Sequence, residues 1–439
     1  MQYAEKMSIE DTSVDYPSAH VAVDGLSIDV SLQAAAPMPA PSAVARGLFG
    51  ALLSIYFTQL ALARNSSYSG PAIPCEALPH LNRCLAYAMS VRSYREGFAG
   101  PRKVSLEFGR TSYNPVSTLR DVSKPQTCLQ LVSGGLDSAL SLQVIRQNEL
   151  GCEGIHVEGL NGDSATESSE LMGSRRIAET SGIPLHLFRF ATTPLSHYQL
   201  VGRWTKFPPA FPATNPVPHA RETMLVAAAA WLAEAVGGRP AIALGSENSA
   251  WSDIFELDGR SYPRWDTQSR LGVRAINDIV RSMGVAMGPL FAPIAGRTEY
   301  RKFRELHALQ PEYLRDSSFC FWGKNCGVCR KCTRYFLHQR SMKLDLLTFA
   351  RNPLTGGSDL LVELLNDRGI AYRDLHLAVF EMLQGGSLGR DEQRYAAGLR
   401  KVADRVRKEF KEMRSEEMRV REDDSLPAWF DPRARELFS

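Results

Sequence analysis

Several features are scarce or missing in this chain of 439 residues, and each scarcity removes a class of explanation. No apolar run is expected to span a bilayer. The most hydrophobic window, Leu48 to Ala63, is short and carries Ser54, Thr58 and Gln59, so no membrane association is expected. The opening MQYAEKMSIEDTS has early acidic residues and no apolar centre, unlike a secretory signal, which makes the cytoplasm the expected compartment. Charge of one sign is not in excess. Lys and Arg number 51 against 48 Asp and Glu, and a net charge of +3 supplies no electrostatic argument for nucleic acid. There is no internal repeat and no G-x-x-x-x-G-K-[ST] phosphate loop. What remains, 44% hydrophobic and 23% charged, is ordinary for a globular protein of two or three domains.

Cysteine is sparse but unevenly placed. Cys75, Cys84, Cys128 and Cys152 are scattered, whereas Cys320, Cys326, Cys329 and Cys332 are clustered. Clustered thiols without a secretory signal point to metal rather than disulfides. Four thiolates at this spacing can close a tetrahedral shell around Zn²⁺, with Gly327 supplying the turn between ligands. A shell filled by protein leaves no place for an activated water, so the zinc is read as structural. An iron–sulfur cluster or redox-active thiols share this spacing. Lys324, Arg330, Lys331, Arg334 and Arg340 make the segment and its continuation basic.

The chain is organised around Cys128 to Leu142, CLQLVSGGLDSALSL. Leu129, Leu131 and Val132 read as a buried strand, and Ala139, Leu140 and Leu142 begin a helical face. Between them lie Ser133, Gly134, Gly135, Leu136, Asp137 and Ser138. Glycines permit a tight turn and let backbone amides approach a ligand. A helix N-terminus adds free N–H groups and a positive dipole end, which suit phosphate. Ser133 and Ser138 offer hydroxyls, and Asp137 can hold the Mg²⁺ that accompanies a polyphosphate.

Alternating strands and helices follow, the pattern of parallel βαβ units. Strands are expected at Gly154–Leu160, Pro184–Phe190 and Ala241–Leu244, with helices at Ser168–Thr180 and Met224–Val236. The predicted fold class is α/β, a doubly wound parallel sheet at residues 126–318. A small α+β region at 1–125 precedes it, a four-cysteine zinc-binding segment at 319–343 follows, and 344–439 is helical. In the first region His20–Val30 reads as a hairpin turning at Asp24-Gly25, and Ala43–Ala63 and Leu78–Arg92 as helices. Its expected role is stability or oligomer contact, including a homodimer, with docking of a macromolecular partner as the sharper option. In the tail, Leu399, Val402, Val406, Phe410 and Met413 recur at helical spacing, a packed amphipathic face or a docking arm.

Ligand residues in such a sheet gather beyond the carboxyl ends of the strands. Glu247, Asn248 and Asp253 lie just past the fourth of them, followed by Tyr262, Pro263, Arg264 and Asp266. Arg221 opens a helix, where a positive charge is slightly unfavourable and so hints at an anionic contact.

The Ser133–Ser138 hexapeptide resembles the PP-loop of the ATP pyrophosphatases, which cleave ATP between the α and β phosphates and transfer AMP to a substrate oxygen. Together with Cys326-Gly327-x-Cys329-x-x-Cys332, it makes the segment Cys128–Arg340 similar to the 7-cyano-7-deazaguanine synthase family. Glu170-Leu171 with Arg175, Val217-Pro218 with Arg221, Gly245 with Asn248, and Tyr262-Pro263 extend the likeness. The resemblance implies ATP bound by the loop and Arg175, and a deazaguanine substrate near Arg221, Glu247, Asn248, Tyr262 and Asp266. It implies adenylation of a carboxylate, attack by ammonia to give an amide, and a second activation to give the nitrile. Leu160-Asn161-Gly162-Asp163 replaces the family's Tyr-Gly-Gln, Glu222 stands for its Asn, and Arg297 is the nearest candidate for an expected lysine. These departures resemble the divergent synthase-like proteins of bacterial anti-phage operons.

Other readings share the loop. A conjugating enzyme would direct the activated deazapurine to an amine of a partner protein from the same operon. A tRNA sulfur transferase would need a persulfide cysteine outside the metal set. A nucleotide-binding scaffold would keep the fold without turnover.

Overall fold

The computed structural model describes residues 4–95, 104–111, 124–160, 164–204, 221–247, 252, 254–257, 259–263, 268–316, 320, 325–355, 359–366, 373–385, 388–421, 423 and 425–433. Strands β1 (Lys6–Asp11), β2 (Ser18–Val23) and β3 (Leu26–Ala34) form an antiparallel meander. The hairpin turns where expected, with Asp24 and Gly25 at φ of 46° and 80°. Alternation along these strands buries Met7, Ile9, Val21, Val23, Ile28, Val30 and Leu32 on one face.

That face packs on helix α1 (Ala43–Ala61), whose start is capped by Ser42 accepting from the Ala45 N–H at 3.1 Å. By length and composition α1 is sufficient to cross a bilayer, yet 83% of its apolar window is buried inside the protein. It is a core helix that Leu48, Leu52, Ile55, Phe57 and Leu60 hold in place, each side chain contributing about 1.5–3 kcal/mol on burial. Strand β4 (Asn65–Pro74), helix α2 (Leu78–Arg95) and strand β5 (Ser105–Thr111) complete this part.

The next elements alternate as the sequence predicts: β6 (Thr127–Leu131), α3 (Leu136–Gln147), β7 (Gly151–Glu158), α4 (Ser164–Ser181), β8 (Leu185–Thr193), α5 (His197–Trp204), α6 (Arg221–Val236) and β9 (Ala241–Ala243). A two-stranded hairpin, β10 (Ile254–Leu257) and β11 (Arg260–Pro263), precedes α7 (Arg270–Met283) and β12 (Leu290–Phe291). Helices α8 (Glu299–Leu309) and α9 (Pro311–Asp316) follow. Beyond the cysteines come α10 (Arg330–Ser341), α11 (Asp359–Asn366), α12 (Arg373–Gly385), α13 (Ala396–Val406) and α14 (Phe410–Met418).

Strand order explains where a ligand can go. The ten-stranded sheet runs β12-β9-β6-β7-β8-β3-β2-β1-β4-β5. Its first five strands are mutually parallel, with β6 paired to both β7 and β9. The chain leaves β6 toward β7 and β8, then returns to the other side for β9 and β12. This reversal is a topological switch point, and it opens a crevice beyond the carboxyl end of β6.

The sheet does not stop at the boundary placed at residue 125. Antiparallel pairing of β3 with β8 joins the N-terminal meander to the parallel strands, and one apolar cluster contains α1, α6 and both sets of strands. The reason is a shared edge: Asp29–Ala34 of β3 saturates the ladder that β8 would otherwise expose. A second cluster lies under α3, α8 and the cysteines, and a third is made by the C-terminal helices, where Leu399, Val402, Val406 and Met413 are buried. The tail then returns to the sheet, with Phe430 stacked edge-on against Phe291 at 4.9 Å and Asn148 bonded to the backbone of Asp431 at 2.8 and 3.0 Å.

Candidate active site and metal centre

At the end of β6 the chain turns sharply and enters α3 with Gly135 as the N-cap, which offers no side chain to the helix's first N–H groups. Asp137 and Ser138 of this first turn line the crevice, and the open N–H groups of a helix start suit an anion. Ser138 braces the loop from within, its hydroxyl accepting from the Ser133 N–H at 3.1 Å and lying 3.2 Å from the Ser133 hydroxyl. Gly134 has φ of +73°, and a Cβ there would come within 2.6 Å of the Glu170 carbonyl and 2.9 Å of the Gly173 Cα. Only glycine lets α4 approach the loop so closely.

Asp137 lies in the first turn of α3, and its carboxylate is held from the neighbouring helix α8. Lys302 on α8 places its ammonium 2.5 Å from Asp137 Oδ1 and 2.6 Å from Glu299 Oε2, with its side chain only 1% exposed. Burial opposes this charge, but Asp137 and Glu299 outweigh it and raise the Lys302 pKa above its ordinary value. A fixed cation therefore sits beside the anion-seeking loop. Arg297, the nearest candidate for the lysine that the resemblance implies, does not line the cleft: it donates to Glu305 at 2.6 Å and to the Pro293 and Pro432 carbonyls at 3.3 and 2.8 Å. It is a structural arginine that ties the C-terminal tail to α8. Lys302 is inconspicuous in the sequence because its Glu299 partner, three residues earlier, makes the two look like an ordinary helical ion pair.

The opposite wall is built from α4, α6 and β7. Arg221 donates its Nε to Glu222 at 3.2 Å and lies 3.8 Å from Glu170. Burial disfavours its charge, while Glu170 and Glu222 more than compensate and raise its pKa. Glu222 also accepts from Gln268. Val132, Val157, Leu160, Leu225 and Leu244 give the same cleft an apolar lining beside Ser133, Asp137 and Ser138. A cleft with polar groups at one place and apolar side chains at another has the make-up of a small-molecule site.

Lys331 enters this cleft from the cysteine segment. Burial and the neighbouring Arg221 and Lys302 lower its pKa against the pull of Asp137 and Glu170, burial being the largest influence. The residue occupies the interval between Cys329 and Cys332, so the cysteines position a charge in the cleft.

The four thiols themselves converge. Their sulfur atoms all lie within 4.8 Å of one another, with Cys320 and Cys329 at 3.8 Å and Cys326 and Cys332 at 3.9 Å. A tetrahedral Zn²⁺ with bonds of about 2.3 Å separates its sulfurs by about 3.8 Å. None of the eight cysteines is in a disulfide. Backbone N–H groups of Cys326, Val328 and Cys332 point at cluster sulfurs at 3.3–3.5 Å, the kind of donor that steadies thiolates. Contact with the Cys320 thiol pushes Cys329 up to about 12, so such close thiols ionise together only around a cation. Gly327 has φ of +76°, and a Cβ there would meet the Arg351 carbonyl at 1.9 Å, so the turn between ligands requires glycine. The group can hold zinc.

Several expected ligand residues fall outside this constellation. Arg175 is exposed on α4 and does not line the cleft. Leu136 points into the core. Glu247 is buried just beyond β9 and acts electrostatically on Lys302 and Arg334. Tyr262 is buried on β11 against Tyr87, with ring centroids 6.3 Å apart, rather than in the cleft wall. Asn161, Asn248, Asp253, Arg264 and Asp266 lie outside the described residues, as does Val217-Pro218. No protein-family model matches the chain, and no curated protein matches its sequence.

Proposed function

We propose that this protein is an ATP-dependent adenylating enzyme of the PP-loop type, activating a deazaguanine-like carboxylate or amide to form an amide or nitrile. The observation that carries the reading is the buried Lys302 ammonium fixed beside a side-chain-free helix N-terminus at the switch point of a parallel sheet. This supports the reading because positive charge and open N–H groups are what a departing pyrophosphate would need.

In the proposed reaction a carboxylate oxygen attacks the α-phosphorus, and the α–β anhydride bond breaks with release of pyrophosphate. The acyl adenylate then loses AMP to ammonia, giving the amide. In a second cycle the amide oxygen is adenylated and leaves as AMP, giving the nitrile. The amides of Leu136 to Ser138 and the hydroxyls of Ser133 and Ser138 are suited to the phosphates, and Lys302 to the charge of the leaving group. Asp137 keeps one carboxylate oxygen on Lys302 and would hold Mg²⁺ with the other, a cation that would supply screening of the polyphosphate charge. Cys320, Cys326, Cys329 and Cys332 would hold zinc in a structural role.

Sulfur transfer is less well supported, because no cysteine lines the cleft among the described residues. Incubation with ATP, Mg²⁺ and 7-carboxy-7-deazaguanine, with and without ammonium, followed by mass spectrometry, tests the proposal. AMP, pyrophosphate and an amide or nitrile are expected. Neither AMP nor pyrophosphate with any acceptor would overturn adenylation. Product formed only with a partner protein's amine would make the enzyme a conjugating one.

A further inference from the structure

His156 lies two residues before the end of β7, is 2% exposed and forms part of the cleft wall. Its Nδ1 is 3.0 Å from the Val132 carbonyl oxygen and 3.0 Å from the Ser174 hydroxyl, which itself donates to Val132 at 3.1 Å. A carbonyl has no proton to give, so Nδ1 must carry the hydrogen and donate it. In a neutral ring this leaves Nε2 with a bare lone pair. Burial lowers the pKa of the ring and keeps it neutral. Nε2, on the ring edge turned away from this anchor, is buried and finds no hydrogen-bond partner among the described residues. A buried acceptor left unmatched is destabilising, and a ligand donor at that position would relieve the penalty.

Resting on the nucleotide reading above, we propose that His156 Nε2 is the acceptor that reads an amino group on the base, so that the cleft takes ATP in preference to a 6-oxopurine triphosphate. The apolar neighbours Val132, Val157 and Leu160 suit the faces of a flat base, and Ser133–Ser138 takes the other end of the ligand. Adenine presents N–H donors at position 6. Hypoxanthine presents a carbonyl oxygen there, whose lone pairs would face the lone pair of Nε2. Ser174 is then a positioning residue, because its hydroxyl shares the carbonyl that orients the imidazole.

The test is binding of ATP, ITP and inorganic pyrophosphate to the full-length wild-type protein and to His156→Leu. The wild type is expected to bind ATP at least about tenfold more tightly than ITP. In His156→Leu that preference should collapse through lost ATP affinity, with pyrophosphate binding unchanged. An unaltered ATP-to-ITP ratio in a variant that still binds pyrophosphate would overturn the assignment. Nitrogen NMR of the wild-type imidazoles guards against a variant that does not fold. The Nε2 resonance of an Nδ1–H tautomer should move on adding ATP and not on adding pyrophosphate, and no movement with saturating ATP would also overturn it. Pyrophosphate bound without any nucleotide binding would instead sink the nucleotide reading, and this proposal with it.

Discussion

Lys302 is buried between two carboxylates, and its removal breaks both ion pairs at once. Replacing it with Met leaves Asp137 and Glu299 facing each other without their shared cation. Loss of one partner from a buried pair costs about 3–5 kcal/mol, so the variant should melt earlier in a thermal scan. Where it remains folded, pyrophosphate release should fall by about 100- to 1,000-fold, the scale of losing a preorganised charge from a reacting site. Asp137→Asn is the gentler probe, since Lys302 keeps Glu299 at 2.6 Å. Its Mg²⁺-dependent turnover should drop by about two orders of magnitude with an unchanged circular-dichroism spectrum. Full activity in that variant would remove Asp137 from metal binding.

At the scale of elements, the cysteine segment both brings together four thiols that can hold zinc and mounts Lys331. Cys329 is also the N-cap of α10, its sulfur accepting from the Cys332 N–H at 3.5 Å. Serine caps helices well, so Cys329→Ser preserves the cap and isolates the loss of a metal ligand. Zinc content should fall from one per chain toward zero and the melting temperature should drop, whereas unchanged stability without metal would make the cluster dispensable. Lys331→Ala is expected to keep its zinc yet weaken pyrophosphate binding by about tenfold, as loss of one charge-assisted hydrogen bond would. Both measurements together distinguish a purely structural segment from one that equips the cleft.

For the whole molecule, three buried histidines make stability depend on pH. Burial lowers the pKa of His156, His197 and His338, that of His197 to about 3. Each ring is neutral in the folded chain and titrates near its ordinary 6.5 when unfolded. Above that value the groups have no effect. Below it the unfolded chain binds protons that the folded one refuses, so stability is lost as the pH falls from 6.5, toward about 3 for His197. Each histidine should contribute a slope of about 1.4 kcal/mol per pH unit inside its window. Urea midpoints measured from pH 7 to pH 5 should fall steadily, and a flat profile would place these rings in contact with solvent.

Much of this architecture was legible in the amino-acid sequence because its determinants are local. The Asp24-Gly25 turn, the apolar strand into Ser133–Ser138, the alternation of strands and helices, and the close spacing of Cys326, Cys329 and Cys332 all act over a few residues. Backbone sterics and short-range periodicity need no knowledge of the rest of the fold. What the tertiary structure alone decided depends on contacts made far along the chain. Pairing of β3 with β8 makes one sheet of two sequence regions. The reach of Lys302 to Asp137 spans 165 positions. Arg297 and Lys302 are five residues apart and equally basic on paper, but Arg297, just before α8, reaches the tail, whereas Lys302 on α8 reaches Asp137. His156 likewise reads as one more polar residue in a strand, and only the carbonyl of Val132 determines which of its nitrogens carries the proton. Chain-local physics wrote the loop, and long-range packing chose the charges that face it.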